Sequence, residues 1–208
     1  MKRCIIIGAG EYYGGAFEIK DGDYVISADG GYLHCEKMGI KPDLAVGDWD
    51  SLAAAPKGCE IFDLPVEKDD TDTLAAIRIG LEKGFDEFHI LFGTGGRLDH
   101  TLANMQCLVY LADCGKRGYL YGKKQVVTAV RNESVSFSEK AAGDISVFAA
   151  DGTACGVTET GLKYSLDNYD VTSAFPIGVS NSFVGTRSVI SVKNGALYII
   201  FPLGEMPL

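Results

Sequence analysis

Aspartates gather at four places in the first half of the chain, each where a short apolar β-type segment gives out. These are Ala28-Asp29-Gly30-Gly31, Gly47-Asp48-Trp49-Asp50-Ser51, Lys68-Asp69-Asp70-Thr71-Asp72 and Gly93-Thr94-Gly95-Gly96-Arg97-Leu98-Asp99-His100. In an open α/β sheet the ligand crevice lies outside the carboxyl ends of the strands, so loops in these positions face one crevice. Carboxylates crowded there repel one another, which raises their pKa values or disrupts the fold unless a cation is shared among them. Oxygen donors of this kind suit magnesium, which takes one or two carboxylates together with phosphate oxygens and water; zinc would want His or Cys. Asp is also a common helix cap and turn former, and that reading stays open for Asp48, Asp69, Asp70 and Asp72 taken one at a time.

The glycine run at 93–96 follows a predicted strand and opens a predicted helix. Backbone N–H groups can approach an anion closely there, and the helix N-terminus adds positive potential. The run lacks the Gly-Lys-Ser or Gly-Lys-Thr ending of a Walker A loop. Arg97 beside it supplies a fork that pairs bidentately with phosphate; the alternative is an ordinary turn with a surface arginine. Gly8-Ala9-Gly10 with Gly14-Gly15 departs in spacing from the dinucleotide fingerprint Gly-x-Gly-x-x-Gly. Asp29 lies at about the distance of a ribose-binding acid, although its Asp-Gly-Gly context also fits a turn at the sheet edge. Of the three histidines, His34 is expected on a helix surface and His89 inside a buried strand as a structural residue, which leaves His100, next to Asp99, as the one placed for chemistry.

The elements that must hold these residues follow from hydrophobic pattern. Strands are expected at 3–7, 24–28, 44–46, 60–62 and 88–92, with helical spacing between them, the order of an α/β unit with a mainly parallel sheet and flanking helices. One helix carries Leu74, Ile77, Arg78 and Leu81, capped by Asp or Thr and stopped by Gly84; a second puts Leu98, Leu102, Met105, Val109 and Ala112 on one stripe and ends at Gly115. Beyond about Tyr121 the texture turns to short segments rich in Val, Ile, Ser and Thr, broken by Gly, Asn and Asp, as in a small all-β sandwich or barrel. Within it, 189–193, Asn194-Gly195 and 196–201 have the pattern of a tight hairpin.

The 208 residues are 47% hydrophobic, enough for a sizeable core in one large domain or two small ones. A formal net charge of -9, with Lys and Arg scattered, argues against nucleic acid as a partner. A small polyphosphate can still bind if a divalent cation screens it from the carboxylates. The six cysteines show no Cys-x-x-Cys spacing and are expected as reduced, mostly buried thiols of a cytoplasmic protein. The apolar run after Lys2-Arg3 stops at Gly8, short of a signal-peptide core or a membrane span, so no membrane role is expected.

In order and spacing, Asp29-Gly30-Gly31, Gly47-Asp48-Trp49-Asp50-Ser51, Lys68-Asp69-Asp70-Thr71-Asp72 and Gly95-Gly96-Arg97-Leu98-Asp99-His100 resemble the thiamine pyrophosphokinase family. The likeness continues through Gly161-Leu162-Lys163-Tyr164 and Ser180-Asn181 and covers nearly the whole chain. It implies an α/β catalytic domain at 1–122, a thiamine-binding β-sandwich domain at 123–208, and a homodimer with active sites between subunits. It also implies transfer of the pyrophosphoryl group of ATP to the hydroxyl of thiamine, with release of AMP. Under it Asp48, Asp50 and Asp72 would bind Mg2+ and, with Arg97, form the catalytic set. Lys68, Asp69, Gly95, Gly96, Arg97 and Asp29 would meet the nucleotide phosphates, and Asp99, His100, Ser180 and Asn181 the thiamine. Two residues depart from the family pattern: Trp49 replaces a usual Phe, and Ser165 replaces a common proline, leaving that loop less rigid.

The acidic surface that discourages nucleic acid would favour the cationic thiazolium of thiamine. Two other readings compete with this one: a pyrophosphokinase acting on a flat, neutral pterin alcohol, and a non-catalytic sensor of thiamine diphosphate or nucleotide. A metal-dependent phosphate-ester hydrolase is a further alternative, distinguished by phosphate release without an acceptor alcohol.

Overall fold

A computed structural model describes residues 2–14, 17–49, 56–65 and 70–208. The chain forms two compact units, Met1–Cys107 with Gly118–Lys123, and Leu108–Arg117 with Lys124–Leu208. Among the described residues no helix is long and apolar enough to cross a membrane.

Elements of the first part run β1 (Arg3–Ile7), β2 (Tyr24–Ala28), α1 (Gly31–Met38), β3 (Leu44–Gly47), β4 (Glu60–Asp63), α2 (Asp72–Glu82), β5 (Glu87–Leu91), α3 (Leu98–Asp113) and β6 (Arg117–Tyr121). Their strands lie in the order β6-β5-β1-β2-β3-β4. The pairs β1–β2, β1–β5, β2–β3 and β3–β4 are all parallel. Central strands covered on both faces need continuous apolar sequence, and Cys4 to Ile7 and Leu44 to Val46 are buried along their length. Edge strand β4 is exposed throughout.

The first residue of α2 follows the cap Thr71, whose hydroxyl accepts from the Leu74 N–H at 3.2 Å. The buried side of α2 is its small one, with Thr73, Ala76, Ile77 and Gly80. A Cβ on Gly80 would stand 2.5 Å from Phe88 Cε1, so the missing side chain is what lets the helix lie this close to the sheet. The expected stripe on α3 is corrected more strongly. Leu98 and Leu102 are 82% and 57% exposed, and the buried positions are Asn104, Cys107, Leu108 and Leu111. The inward side includes a polar residue as well as apolar ones: Asn104 Nδ2 donates to the Gly93 carbonyl at 2.7 Å, which satisfies that buried amide.

The second part comprises β7 (Gln125–Arg131), β8 (Ser134–Phe137), β9 (Asp144–Ala149), β10 (Thr153–Thr160), β11 (Leu166–Thr172), β12 (Asn181–Ser182), β13 (Ser188–Ser191) and β14 (Ala196–Pro202). Within this unit the strands form two layers, β12-β9-β14-β7 and β11-β10-β13-β8. Among the described residues, the pairings within these two layers are antiparallel. Alternating burial on β9, β13 and β14 turns one side of each strand inward. Phe137 packs on Phe183 and Phe201 at ring separations of 5.3 and 5.2 Å. The chain is therefore an α/β unit with a mainly parallel sheet and helices, followed by an all-β sandwich, as its pattern predicts.

The Asn194-Gly195 turn does not close a hairpin. β13 pairs with β8 and β10, whereas β14 pairs with β7 and β9, so the turn carries the chain from one layer to the other. Gly195, at φ 109°, accommodates this crossover: its N–H donates to Asn132 Oδ1 at 2.8 Å, and a Cβ there would lie 2.9 Å from the Thr153 carbonyl oxygen. Asn-Gly signalled a sharp reversal correctly, but pairing is decided by which strands bury the flanking apolar residues.

The cysteines are free. Burial pushes the thiols of Cys4 and Cys35 up to about 12 and that of Cys107 up to about 11, so these three stay protonated and unreactive.

Candidate active site

At the carboxyl ends of β1 and β5 the two segments stay zipped together after their strands end. The N–H groups of Gly8, Gly10 and Glu11 donate to the carbonyls of Leu91, Phe92 and Thr94 at 2.8, 2.7 and 3.0 Å. This seam excludes side chains, since a Cβ on Gly10 would stand 2.5 and 2.6 Å from the Phe92 and Thr94 oxygens. It forms one wall of a cavity of about 750 Å³, whose lining includes Gly8, Gly10, Glu11, Asp29, Thr71, Asp72, Gly93, Gly95, Gly96, Arg97, His100 and Asn104.

Backbone geometry around the cavity is unusual for its residue types. Asp29 and Phe92, each the residue directly after a strand, have φ of 46° and 53°, and Trp49, two residues past β3, has φ 63°. Left-handed backbone at non-glycine residues is strained and collects at functional sites, where the surrounding structure enforces it. Asp29 is held by its N–H bond to the Val46 carbonyl at 2.7 Å. It ends β2, which lies between β1 and β3, so its turn belongs to an internal strand and not to the sheet edge. Phe92 was expected to extend β5 and instead turns the chain out of it, into Gly93 and the positive-φ pair Gly95 and Gly96 (φ 81° and 65°). These glycines lead directly to the N-terminus of α3, an arrangement able to hold an anion on backbone N–H groups.

The charged groups are mostly solvated. Arg97 and Asp99 pair through Nη2 and Oδ2 at 2.6 Å with side chains 71% and 64% exposed. The bond raises the already high Arg97 value and holds the Asp99 carboxyl below its usual range. Such a pair yields easily to a competing phosphate, because solvent screens it. Asp70 is engaged by Arg78, whereas Asp72 opens α2 on the cavity wall, where the helix N-terminus favours its negative charge.

The structure thus brings Asp29, Asp72, Gly95, Gly96, Arg97 and His100 to one cavity. Asp48 follows β3, and the described lining stops short of it; Asp99 adjoins through Arg97. Asp50, Lys68 and Asp69 lie outside the described residues. Among the described residues no group of three or more His, Cys, Asp or Glu could hold a metal by itself. The donors present are oxygens beside an anion cradle, which fits magnesium bound by one or two carboxylates with phosphate and water completing its shell.

Ser180 and Asn181 belong to the second unit. Ser180 is exposed at φ 58°, with its N–H on Ser146 Oγ at 3.0 Å. Asn181 is 6% exposed, and its amide is used on every side by Tyr164, Ser182 and Glu159. Tyr164 is 61% exposed.

Two sequence profiles match the chain: the thiamin pyrophosphokinase catalytic domain over residues 18–118, and the thiamin pyrophosphokinase vitamin B1 binding domain over 134–197. The chain belongs to the thiamine pyrophosphokinase family. Thiamine pyrophosphokinase of Bacillus subtilis is 29% identical over 185 residues, covering 84% of this chain and 85% of that protein. The crystal structure of a Bacillus subtilis thiamine pyrophosphokinase superposes with a TM-score of 0.84 at 25% identity, covering 97% of this chain and 99% of that one. A thiamin pyrophosphokinase family protein from Enterococcus faecalis gives 0.81 at 26%, covering 96% and 98%.

Several residues that shape this family member's cavity were not evident as site residues from sequence. Asn104, in the middle of an apolar helix, could have been found as a polar residue at a helix position facing a glycine loop. Glu11 packs close to Gly95, where a Cβ would meet the Glu11 Cβ at 2.6 Å. His34 is not a surface residue. It is 8% exposed, its Nε2 lies 2.9 Å from the Gly10 carbonyl, and its ring packs against Tyr12 and Phe92 at 5.1 and 5.0 Å. The carbonyl partner makes Nε2 the protonated nitrogen, so His34 braces the glycine wall from behind. His89 is structural as expected, buried between Tyr121 and Glu87.

Proposed function

We propose that this chain carries out its family's reaction, transfer of the pyrophosphoryl group of ATP to the thiamine hydroxyl to give thiamine diphosphate and AMP, at the cavity beyond β1, β2 and β5. The observation that carries this reading is the shared lining: a glycine cradle at the N-terminus of α3 and the carboxylates of Asp29 and Asp72 face the same space. In the transfer the thiamine hydroxyl oxygen bonds to the β-phosphorus, the bond from that phosphorus to the bridging oxygen breaks, AMP leaves with that oxygen, and the hydroxyl proton goes to solvent. Little covalent chemistry falls to the protein, and positioning and charge neutralisation dominate.

The N–H groups of residues 93–96 hold the polyphosphate in this scheme, and Arg97 exchanges Asp99 for a phosphate oxygen. Asp72, with Asp48 and Asp50, would hold Mg2+, and Lys68, Asp69 and Asp29 would contact the nucleotide. When bound, Mg2+ would neutralise the phosphate oxygens and lower the barrier to displacement. Asp99 and His100 would meet thiamine from this side, with Ser180 and Asn181 of the partner subunit from the other.

That division makes residues 1–122 the nucleotide- and metal-binding catalytic domain, with Asp99 and His100 reaching thiamine from it, and 123–208 the thiamine-binding domain. A homodimer is supported by Leu98 and Leu102, apolar side chains that α3 leaves open beside Arg97. Free cysteines suit a reducing cytoplasm. Purified protein incubated with ATP, Mg2+ and thiamine should release AMP in step with thiamine diphosphate. Release of inorganic phosphate without thiamine, or AMP with a pterin alcohol alone, would overturn the assignment, and sedimentation at a monomer's mass would remove the dimer.

A further inference from the structure

Glu159 stands where its strand should carry an apolar residue. β10 buries Ala154 and Val157, its register against β11 shifts on either side of Val157, and Glu159 then falls on the buried side at 3% exposure. Its ladder partners are Ile190 on β13 and Leu166 on β11. The carboxyl reaches across the sandwich and accepts from Asn181 Nδ2, on β12 of the other layer, at 3.1 Å.

Asn181 in turn clamps a loop. Its Nδ2 also donates to the Tyr164 carbonyl at 2.6 Å, and its Oδ1 accepts from the N–H groups of Tyr164 and Ser182, each at 2.9 Å. Both backbone groups of Tyr164 are therefore held by one amide whose second N–H is taken by Glu159. Without that acceptor one N–H of a buried amide would be left unpaired, and the amide would rotate or the loop would shift to satisfy it.

We propose that Glu159 is a positioning residue for thiamine. Acting through Asn181, it holds Tyr164 and the Gly161-Leu162-Lys163 segment before it in the shape the substrate meets. This rests on the reading above that the Ser180-Asn181 segment faces thiamine. Isolated buried carboxyls destabilise a core, so an acid in a sandwich interior, partnered by a single amide that carries a loop, fits a functional constraint better than a packing one. Burial pushes the Glu159 carboxyl up to about 7, and the hydrogen bond from Asn181 offsets that only in part.

The test uses the full chain and three variants. Glu159→Leu keeps the volume and removes the acceptor, Glu159→Gln keeps an acceptor, and Glu159→Asp withdraws it by one methylene. With ATP and Mg2+ present, Glu159→Leu should raise KM for thiamine about tenfold while kcat and KM for ATP stay within about twofold, and Glu159→Gln should remain near the parent protein. Amide hydrogen exchange at Tyr164 and Ser182 should quicken about tenfold in Glu159→Leu and little in Glu159→Gln. If Glu159→Leu does not fold, Glu159→Asp takes its place with the same expectations. An unchanged thiamine KM in a folded variant, KM for ATP rising in parallel, or unchanged exchange at both amides overturns the proposal. A parent protein that releases no AMP with thiamine fails the reaction reading instead, and the exchange rates then decide by themselves whether Glu159 holds the clamp.

Discussion

Two polar centres of this chain are built in opposite ways. Beyond β1, β2 and β5 the cavity is shaped by backbone: positive φ at Asp29, Phe92, Gly95 and Gly96, and a seam too tight for a side chain at Gly10. The ionisable pair beside it, Arg97 and Asp99, stands in solvent. In the sandwich unit the reverse holds. Glu159 and Asn181 are buried at 3% and 6% exposure, and their partners are protein groups on neighbouring strands and loops. Exposed charges on a rigid backbone can change partners when a ligand arrives at little cost to the fold, whereas a buried amide and acid cannot change partners without moving the loop they hold.

The comparison breaks most sharply at Asp72. If the first unit's carboxylates serve a ligand and not the fold, Asp72→Asn should lower turnover at least about a thousandfold, near 4 kcal/mol of activation free energy. Stability should fall by no more than about 1 kcal/mol, the scale of an acid at a helix N-terminus. AMP release and urea unfolding measured on one preparation check both numbers. Turnover close to that of the parent protein would remove Asp72 from the site.

Glu159 gives the next largest effect, in stability instead of rate. Burial raises its pKa from 4.5 to about 7, so the folded chain binds this proton more tightly than the unfolded chain. The associated stabilisation is complete below about 4.5 and is lost as pH rises through about 7. Between pH 5 and pH 8 the parent protein should lose about 2 to 3 kcal/mol on this account, and Glu159→Gln should lose none of it. Unfolding curves for both proteins at the two pH values give the difference, and parallel pH dependences would show the carboxyl to be ordinary.

What the sequence revealed follows the same division. Asp29, Asp72, Gly95 and Gly96 were legible because their function is tied to residue type: carboxylates at strand ends, and glycines where a side chain cannot fit. The parallel order of β1, β2, β3 and β5 was legible because strands buried on both faces have continuous apolar sequence. Glu159 was not, because its inward phase depends on irregular register between Ala154 and Val157 and again before Glu159, and simple alternation does not count such shifts. The rotation of α3 was hidden for a related reason: the inward side is Cys107, Leu108 and Leu111 together with the polar Asn104, whose amide meets the Gly93 carbonyl, and it leaves Leu98 and Leu102 outside. The crossover at Asn194-Gly195 has the turn chemistry of a hairpin, and only the pairing of β13 and β14 with different strands distinguishes it.

Gly10→Ala sharpens the claim that backbone shapes the first cavity. The new methyl would press on two main-chain oxygens, so the seam between the ends of β1 and β5 must open at a cost of about 1 to 3 kcal/mol. KM for ATP should rise along with the loss of stability, whereas the same substitution at half-buried Gly14, where a Cβ meets nothing within 4 Å but φ is 62°, should cost stability through backbone strain and leave KM for ATP alone.

The smallest effect separates a cap that only stabilises from one that also positions. Thr71 accepts the Leu74 N–H and sits on the cavity wall beside Asp72, the first residue of the helix it caps. Losing the hydroxyl in Thr71→Ala should cost about 1 kcal/mol of stability. Were that all, kcat/KM at a temperature well below the melting range would not change, because nearly every molecule would still be folded. If the cap also fixes where α2 begins, the Asp72 carboxylate is displaced as the first turn frays, and kcat/KM should fall about threefold to tenfold. Thr71→Ser, which retains the acceptor, should restore it. A Thr71→Ala enzyme less stable by the expected amount yet fully active would show that the cavity's acids tolerate a loose support, which would set this centre further apart from the buried clamp, whose partners cannot loosen without moving the loop they hold.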